Sequence, residues 1–250
     1  MESAVGGVSC LRLMETKERP SGQDRREQML LGIDTCGPSG SVALGRLAEG
    51  AVEVVGQLEL EGRSYSATLV AAVGDLLARA GVALKDLGAI VAVNGPGSFT
   101  GVRVGLSAVK GLAEAAQIPV VAVSRLEVLT WKAGVGSAAL DAHRNEVFLR
   151  LGGAGVAAKE LLAGAGELRA IELAGGQIAV CDEAAGLLLK SVWQGAELVR
   201  SLAPTAGDAL QLCGARVVAG GFVDLALVDG HYLRRSDAEI FGEAVKAQSA

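Results

Sequence analysis

A chain of 250 residues, half of them hydrophobic and a fifth charged, is long enough to bury a substantial core and too apolar to stay unfolded. A net charge of -5 and an aromatic content of only 3% argue against unaided recognition of nucleic acid, which rests on neutralising phosphates and on stacking platforms. No apolar run reaches the ~18 residues of a membrane span, and the four cysteines (Cys10, Cys36, Cys181, Cys213) form no CxxC pair, so reduced thiols and a cytoplasmic location are expected.

Residues 1–28 carry five acidic and five basic side chains with little periodicity. They read as a flexible extension or an over-long start assignment, with Met29 as the true start, and not as a secretory signal. Three β-rich runs follow at Leu30–Thr35, Ser41–Leu47 and Val52–Leu60, a pattern that predicts an antiparallel meander. Leu69, Val70, Val73, Leu76 and Leu77 then recur at helical spacing, and Gly81 stops the helix. Ala89–Val93 and Pro119–Val123 are short enough to be buried parallel strands, with a helix over 101–116 between them.

The order β-β-β-α-β-α-β predicts a mixed sheet covered by helices, the ribonuclease-H-like unit of actin-type ATPases. The reading divides the chain into a lobe at 29–124, a smaller α/β lobe at 125–235 and a tail at 236–250. In the second lobe, Ser124–Trp131 reads as a helix, Ala138–Leu151 and Ile178–Cys181 as strands, then a helix to Val192 and another over Thr205–Leu212. The Gly/Ala-rich stretch at 152–176 has no clear reading.

The segment Asn94–Gly105, NGPGSFTGVRVG, lies between a predicted strand and a predicted helix, where α/β proteins bind phosphates. It lacks the Gly-Lys-Ser/Thr ending of a P-loop. Its glycines at 95, 97 and 101 are spaced one residue too far for a dinucleotide fingerprint, and Pro96 rules out a nucleophile elbow. Two readings stay open: a structural turn with a helix cap from Ser98 or Thr100, or a contact to phosphate or a partner. Asp34 and Thr35, at the end of the first strand, form with Gly97 and Gly101 the candidate cofactor-binding set. An acid there can position a metal–nucleotide, or merely form a turn. His143 and His231 have no Cys, His or Asp at metal spacing, so no metal site and no catalytic set is assigned.

The segments LGIDT (31–35), SVAL (41–44), GPGSFTGVRVG (95–105), DAHRNEV (141–147) and YLR (232–234) resemble, in that order, the landmarks of the TsaB family of tRNA threonylcarbamoyladenosine biosynthesis proteins. The same superfamily contains the catalytic subunit TsaD, which carries a His-x-x-x-His metal pair on its first helix. The corresponding stretch here, Gly62–Leu69, has no histidine, and Tyr65 stands where relatives often keep one.

The resemblance implies a two-lobed actin-like fold and a non-catalytic subunit that activates TsaD and works with the ATPase TsaE. It also implies homodimer formation when alone, and contact with tRNA only through the complex. No cofactor is expected on the isolated chain, with ATP or ADP placed at the TsaD interface. The helices over 66–80 and 101–116 are small and apolar on more than one side. The resemblance turns this into an expected interface of Tyr65, Leu69, Ala72, Val73 and Leu76 with Val104, Ala108 and Gly111. The rival reading is an ATP-dependent kinase or metallohydrolase of the same superfamily, built on Asp34 and the Gly95–Gly101 turn.

Overall fold

The computed structural model describes residues 27–61, 64–153, 156–173 and 176–234. The expectations for the N-terminal extension, up to residue 26, and for the tail at 236–250 lie outside the described residues.

The first sheet is built from β1 (Gln28–Asp34), β2 (Ser39–Ala48), β3 (Ala51–Glu61), β4 (Leu87–Val93) and β5 (Val120–Val123), in the order β3-β2-β1-β4-β5. The meander β1–β3 is antiparallel, and β4 and β5 add in parallel on the other side of β1. The almost continuous apolar runs of β1 and β4 follow from this, because central strands of such a sheet are covered on both faces.

Side-chain alternation shows what does the covering. Gly32 and Gly45 lie on one face and approach Leu210 of α6 (Ala206–Val218). Gly56, paired with Leu44 on the opposite face, approaches Leu76 of α1 (Tyr65–Ala80). The second crossover helix, α2 (Phe99–Ala116), packs against α1, β4 and β1. Gly81 ends α1 in the left-handed conformation, as its position predicts.

The second sheet consists of β6 (Ala138–Asp141), β7 (Glu146–Gly153), β8 (Val156–Gly164), β9 (Gln177–Val180) and β10 (Glu197–Arg200). Its order, β8-β7-β6-β9-β10, repeats that of the first sheet strand for strand, with the same antiparallel meander and the same two parallel additions. The helices α4 (Ala165–Arg169) and α5 (Glu183–Val192) occupy the positions of α1 and α2. The unread stretch at 152–176 therefore supplies all of β8 and α4, in a sequence too poor in β-branched residues to announce a strand.

One boundary differs from the sequence reading. The helix α3 (Arg125–Ala133) follows the first sheet but packs on the second, whereas α6 follows the second sheet and packs on the first. The division at 125–235 thus assigns α6 to the wrong lobe. The apolar side of α6 (Ala206, Ala209, Leu210, Cys213 and Val217) is buried in the first core, and its first-turn N–H groups are capped there. Ala206 N donates to Ser41 Oγ at 2.8 Å and Gly207 N to Gln57 Oε1 at 3.0 Å. The exchanged helices are tied to each other by Lys132–Asp208 at 2.8 Å and by the Arg216–Glu127 ion pair. Among the described residues no helix is long and apolar enough to cross a membrane.

Candidate functional site

Because β1 and β4 run parallel, their C-terminal ends deliver Asp34 and the turn at 94–98 to the same place. Asp34 is 1% exposed. Its Oδ1 accepts from Cys36 N at 2.8 Å, and its Oδ2 faces Nε of Arg125 at 3.3 Å. Arg125 opens α3, and its backbone N donates to Gly95 O at 2.6 Å. Burial alone would lower the Arg125 pKa, but the Asp34 carboxylate together with smaller contributions from Cys36 and Cys181 outweighs burial and raises it. Thr35 Oγ1 donates to Gly101 O at 2.7 Å.

The glycines of the 95–105 segment have a packing role. A Cβ at Gly97 would strike the Cys36 carbonyl, one at Gly101 the Thr35 carbonyl, and one at Gly105 the Thr35 hydroxyl. Their absence lets α2 lie directly on the end of β1. Ser98 caps α2, accepting from Gly101 N at 3.3 Å.

The structure thus brings Asp34, Thr35, Gly97 and Gly101 together, but as the joint between β1, α2 and α3. A metal–nucleotide does not fit at Asp34: both carboxylate oxygens are engaged, and an added cation would sit beside the Arg125 guanidinium.

Above this joint lies a cavity of about 900 Å³ between the lobes. The sequence landmarks, far apart in the chain, meet on its walls: Gly97–Phe99, Asp141–Arg144 and His231–Arg234. The Phe99 and Tyr232 rings stand 4.9 Å apart, with Arg103 stacked 3.7 Å over Phe99. His231 N donates to Asn94 O at 2.7 Å, and its Nε2 lies 2.8 Å from Glu160 on β8. Glu160 also accepts from Ser124 Oγ at 2.7 Å and from Arg150 Nη1 at 2.6 Å. Burial would raise the Glu160 pKa, but the hydrogen bonds from His231, Ser124 and Arg150 outweigh it and hold it below its usual value.

At the rim, His143, Arg144 and Asn145 have φ of 60°, 56° and 59°, three successive non-glycine residues in the left-handed region. Asp141 steadies this turn, accepting from His143 N at 2.8 Å and pairing with His143 Nδ1 at 2.9 Å. Burial, reinforced by Asp34, pushes the Cys36 thiol well up, and burial also raises Cys181, so neither cavity cysteine is an activated thiolate. Among the described residues no group of three His, Cys, Asp or Glu side chains could hold a metal ion. Sequence reasoning missed Arg125 and Glu160. Each is a lone charge inside an ordinary helix or strand, and only the fold shows that it is buried.

The expected interface residues separate into two sets. Tyr65, Leu69, Val73 and Leu76 are 2–5% exposed and belong to this chain's own core, and the Tyr65 hydroxyl donates to Gly37 O at 2.9 Å. They are not contact residues: their helical spacing marks the side that faces the sheet. Ala72, Val104 and Ala108 are half-buried against the same core, while Gly111 is exposed. The outward side of α1 instead carries Ala67, Val70, Ala71, Gly74 and Ala78 beside Asp75 and Arg79, and that of α2 carries Ser107, Gly111 and Ala115 beside Arg103 and Glu114.

Two sheets of identical order, exchanged third helices and a cleft at the strand ends define a duplicated ribonuclease-H-like protein of the actin-like class. The family model for TsaD, tRNA N6-adenosine threonylcarbamoyltransferase, matches residues 59–168. The tRNA threonylcarbamoyladenosine biosynthesis protein TsaB of Escherichia coli is 36% identical over 125 residues, 48% of this chain and 52% of that protein. The chain thus spans about half the length of the curated relatives it matches.

The solved structure of YeaZ from Pseudomonas aeruginosa is 30% identical with a TM-score of 0.65, over 82% of this chain and all of that one. A second solved structure, described as an uncharacterized Pseudomonas aeruginosa protein with similarity to peptidase YeaZ, gives 31% and 0.68 over 83% and 100%. The chain belongs to the TsaB/YeaZ family, within the TsaD superfamily.

Proposed function

We propose that this chain is a non-catalytic subunit that pairs with a TsaD homologue through the outward sides of α1 and α2, and so supports threonylcarbamoyl transfer to the adenosine beside the tRNA anticodon. The observation that carries the reading is the surface of those two helices. Both bury one side in their own lobe, yet their outer sides hold mostly small and apolar side chains, with Asp75 and Arg79 on α1 and Arg103 and Glu114 on α2 as the exposed charges, where a solvated helix carries more. Val70 is 60% exposed, and a Cβ at Gly74 or Gly111 would meet nothing within 4 Å, so helices of a second protein can approach closely.

The match to the TsaD model covers α1 and α2, which supports pairing between two related lobes. The same surfaces serve a homodimer when the chain is alone. TsaE enters through the complex, tRNA is held by the partner, and ATP or ADP is placed at the TsaD interface and not at Asp34. The names of the TsaB relatives and the buried Asp34–Arg125 pair support this reading over a kinase or metallohydrolase.

The double substitution Val70→Glu, Gly111→Glu tests it, because both positions face open solvent and spare the core. Circular dichroism should be unchanged, while co-purification with the TsaD homologue is lost. Full retention of binding by the folded variant rejects these helices as the contact surface.

A further inference from the structure

Arg125 has a side-chain exposure of only 6%, and its one hydrogen bond among the described residues runs from Nε to Asp34. A guanidinium has five N–H donors. The four on Nη1 and Nη2 therefore have no acceptor among the described residues. Every described side-chain nitrogen or oxygen that is fully shut off from solvent has a partner. The terminal nitrogens of Arg125 must then keep some access, and Arg125 is part of the cavity wall, with its guanidinium against Gly37. Donors with so little access and no protein acceptor are poorly solvated, which makes such an edge a ready receptor for an anion.

We propose that the floor of the cleft binds the carboxylate of a small amphipathic acid, held by Nη1 and Nη2 of Arg125, with its apolar body along Phe99, Leu140, Phe148 and Tyr232. The fork of a guanidinium matches the two oxygens of a planar carboxylate. Asp34 already offsets most of the Arg125 charge, so recognition rests on the hydrogen bonds of the fork together with the apolar walls, which a bare phosphate cannot use. The start of α2 adds a favourable field, since Gly97, Ser98 and Phe99 line the same cavity and the first turn of an 18-residue helix points its N–H groups outward. Cys36 and Cys181 flank the floor as neutral thiols and do not compete with the anion. The cavity, at about 900 Å³, has room for a ligand larger than a bare ion. The site is independent of the pairing proposed above.

The test is a titration of the full chain, with arginine side chains labelled with ¹³C and ¹⁵N, followed by nuclear magnetic resonance. The probes are benzoate, neutral benzyl alcohol and inorganic phosphate. Benzoate should shift the Arg125 guanidinium signals saturably. Benzyl alcohol should bind about tenfold more weakly or worse, and phosphate should give no saturable shift. Arg125→Lys keeps a cation opposite Asp34 but loses the fork, and should weaken benzoate about tenfold with circular dichroism unchanged. Should that variant not fold, the wild-type titration decides alone. No saturable Arg125 shift with benzoate, equal affinity for benzyl alcohol, or tighter binding of phosphate overturns the proposal.

Discussion

The Nε of Arg125 lies 3.3 Å from Oδ2 of Asp34, and the two side chains are 6% and 1% exposed. The first residue of α3 thereby reaches back to the last residue of β1, in the lobe that α3 has left. The position where an acid would have marked a nucleotide site is neutralised from within the chain. Removing one partner of such a pair leaves an uncompensated buried charge. Asp34→Asn should therefore destabilise the protein by about 3–5 kcal/mol in urea denaturation, and Asp34→Asn combined with Arg125→Met should recover part of the loss. An Asp34→Asn variant as stable as the wild type would show that the pair carries no weight.

Glu160 gathers Ser124, Arg150 and His231 from three separate parts of the chain. Its folded pKa lies below the 4.5 expected of a free carboxylate. The ionised form is thus favoured by folding, so its contribution is present above pH 4.5 and is lost as the pH falls through the lower folded value. Glu160→Gln should cost about 1.5–3 kcal/mol at pH 7. It should also flatten the decline of stability with acidification below pH 4.5, as followed by urea midpoints across pH. Equal acid sensitivity in both proteins would assign that decline to other carboxylates.

Tyr65 is set within the core, and burial, with Asp34 nearby, pushes its phenol up to about 12. A raised folded value stabilises below the unfolded pKa of 10, and that contribution is lost as the pH rises from 10 through about 12. In a spectrophotometric titration one of the two tyrosines should stay protonated past pH 11 until the protein unfolds. Tyr65→Phe should remove that late step and cost about 1 kcal/mol at neutral pH, the loss of its bond to Gly37.

Glycines of identical appearance in α2 should respond in opposite directions. Gly101→Ala and Gly105→Ala drive a methyl group into the Thr35 carbonyl and hydroxyl, and should destabilise by about 1–3 kcal/mol. Gly111→Ala faces open space within the same helix and should stabilise by about 0.5–1 kcal/mol. Thermal unfolding of the three single variants checks the contrast.

The first lobe was legible because its elements are long and its periods clean: β1 to β3 alternate or run apolar, and α1 closes on Gly81. The second lobe hid β8, whose KELLA stretch carries Glu160 in the middle of a strand, and β10, only four residues long. The exchange of α3 and α6 has no local signal, since each is an ordinary capped amphipathic helix whose destination depends on the whole sheet. At the site, the NGPGSFTG turn and the Ser98 cap could be read from spacing, but Arg125 could not. Tyr65, Leu69, Val73 and Leu76 belong to the apolar stripe that periodicity detects, and that stripe is the side facing the chain's own core. An outward surface rich in alanine and glycine leaves no stripe of its own.

On the proposed function, this chain acts through the surface it offers to TsaD and not through chemistry of its own. Reconstituted modification of tRNA, with the cognate TsaD and TsaE homologues and with this chain present, absent or replaced by the Val70→Glu, Gly111→Glu variant, tests it most directly. Threonylcarbamoyladenosine should accumulate with the intact chain, fall to background without it or with the variant, and never form with this chain alone. Undiminished modification when the chain is left out, or turnover by the chain unaccompanied, contradicts the account.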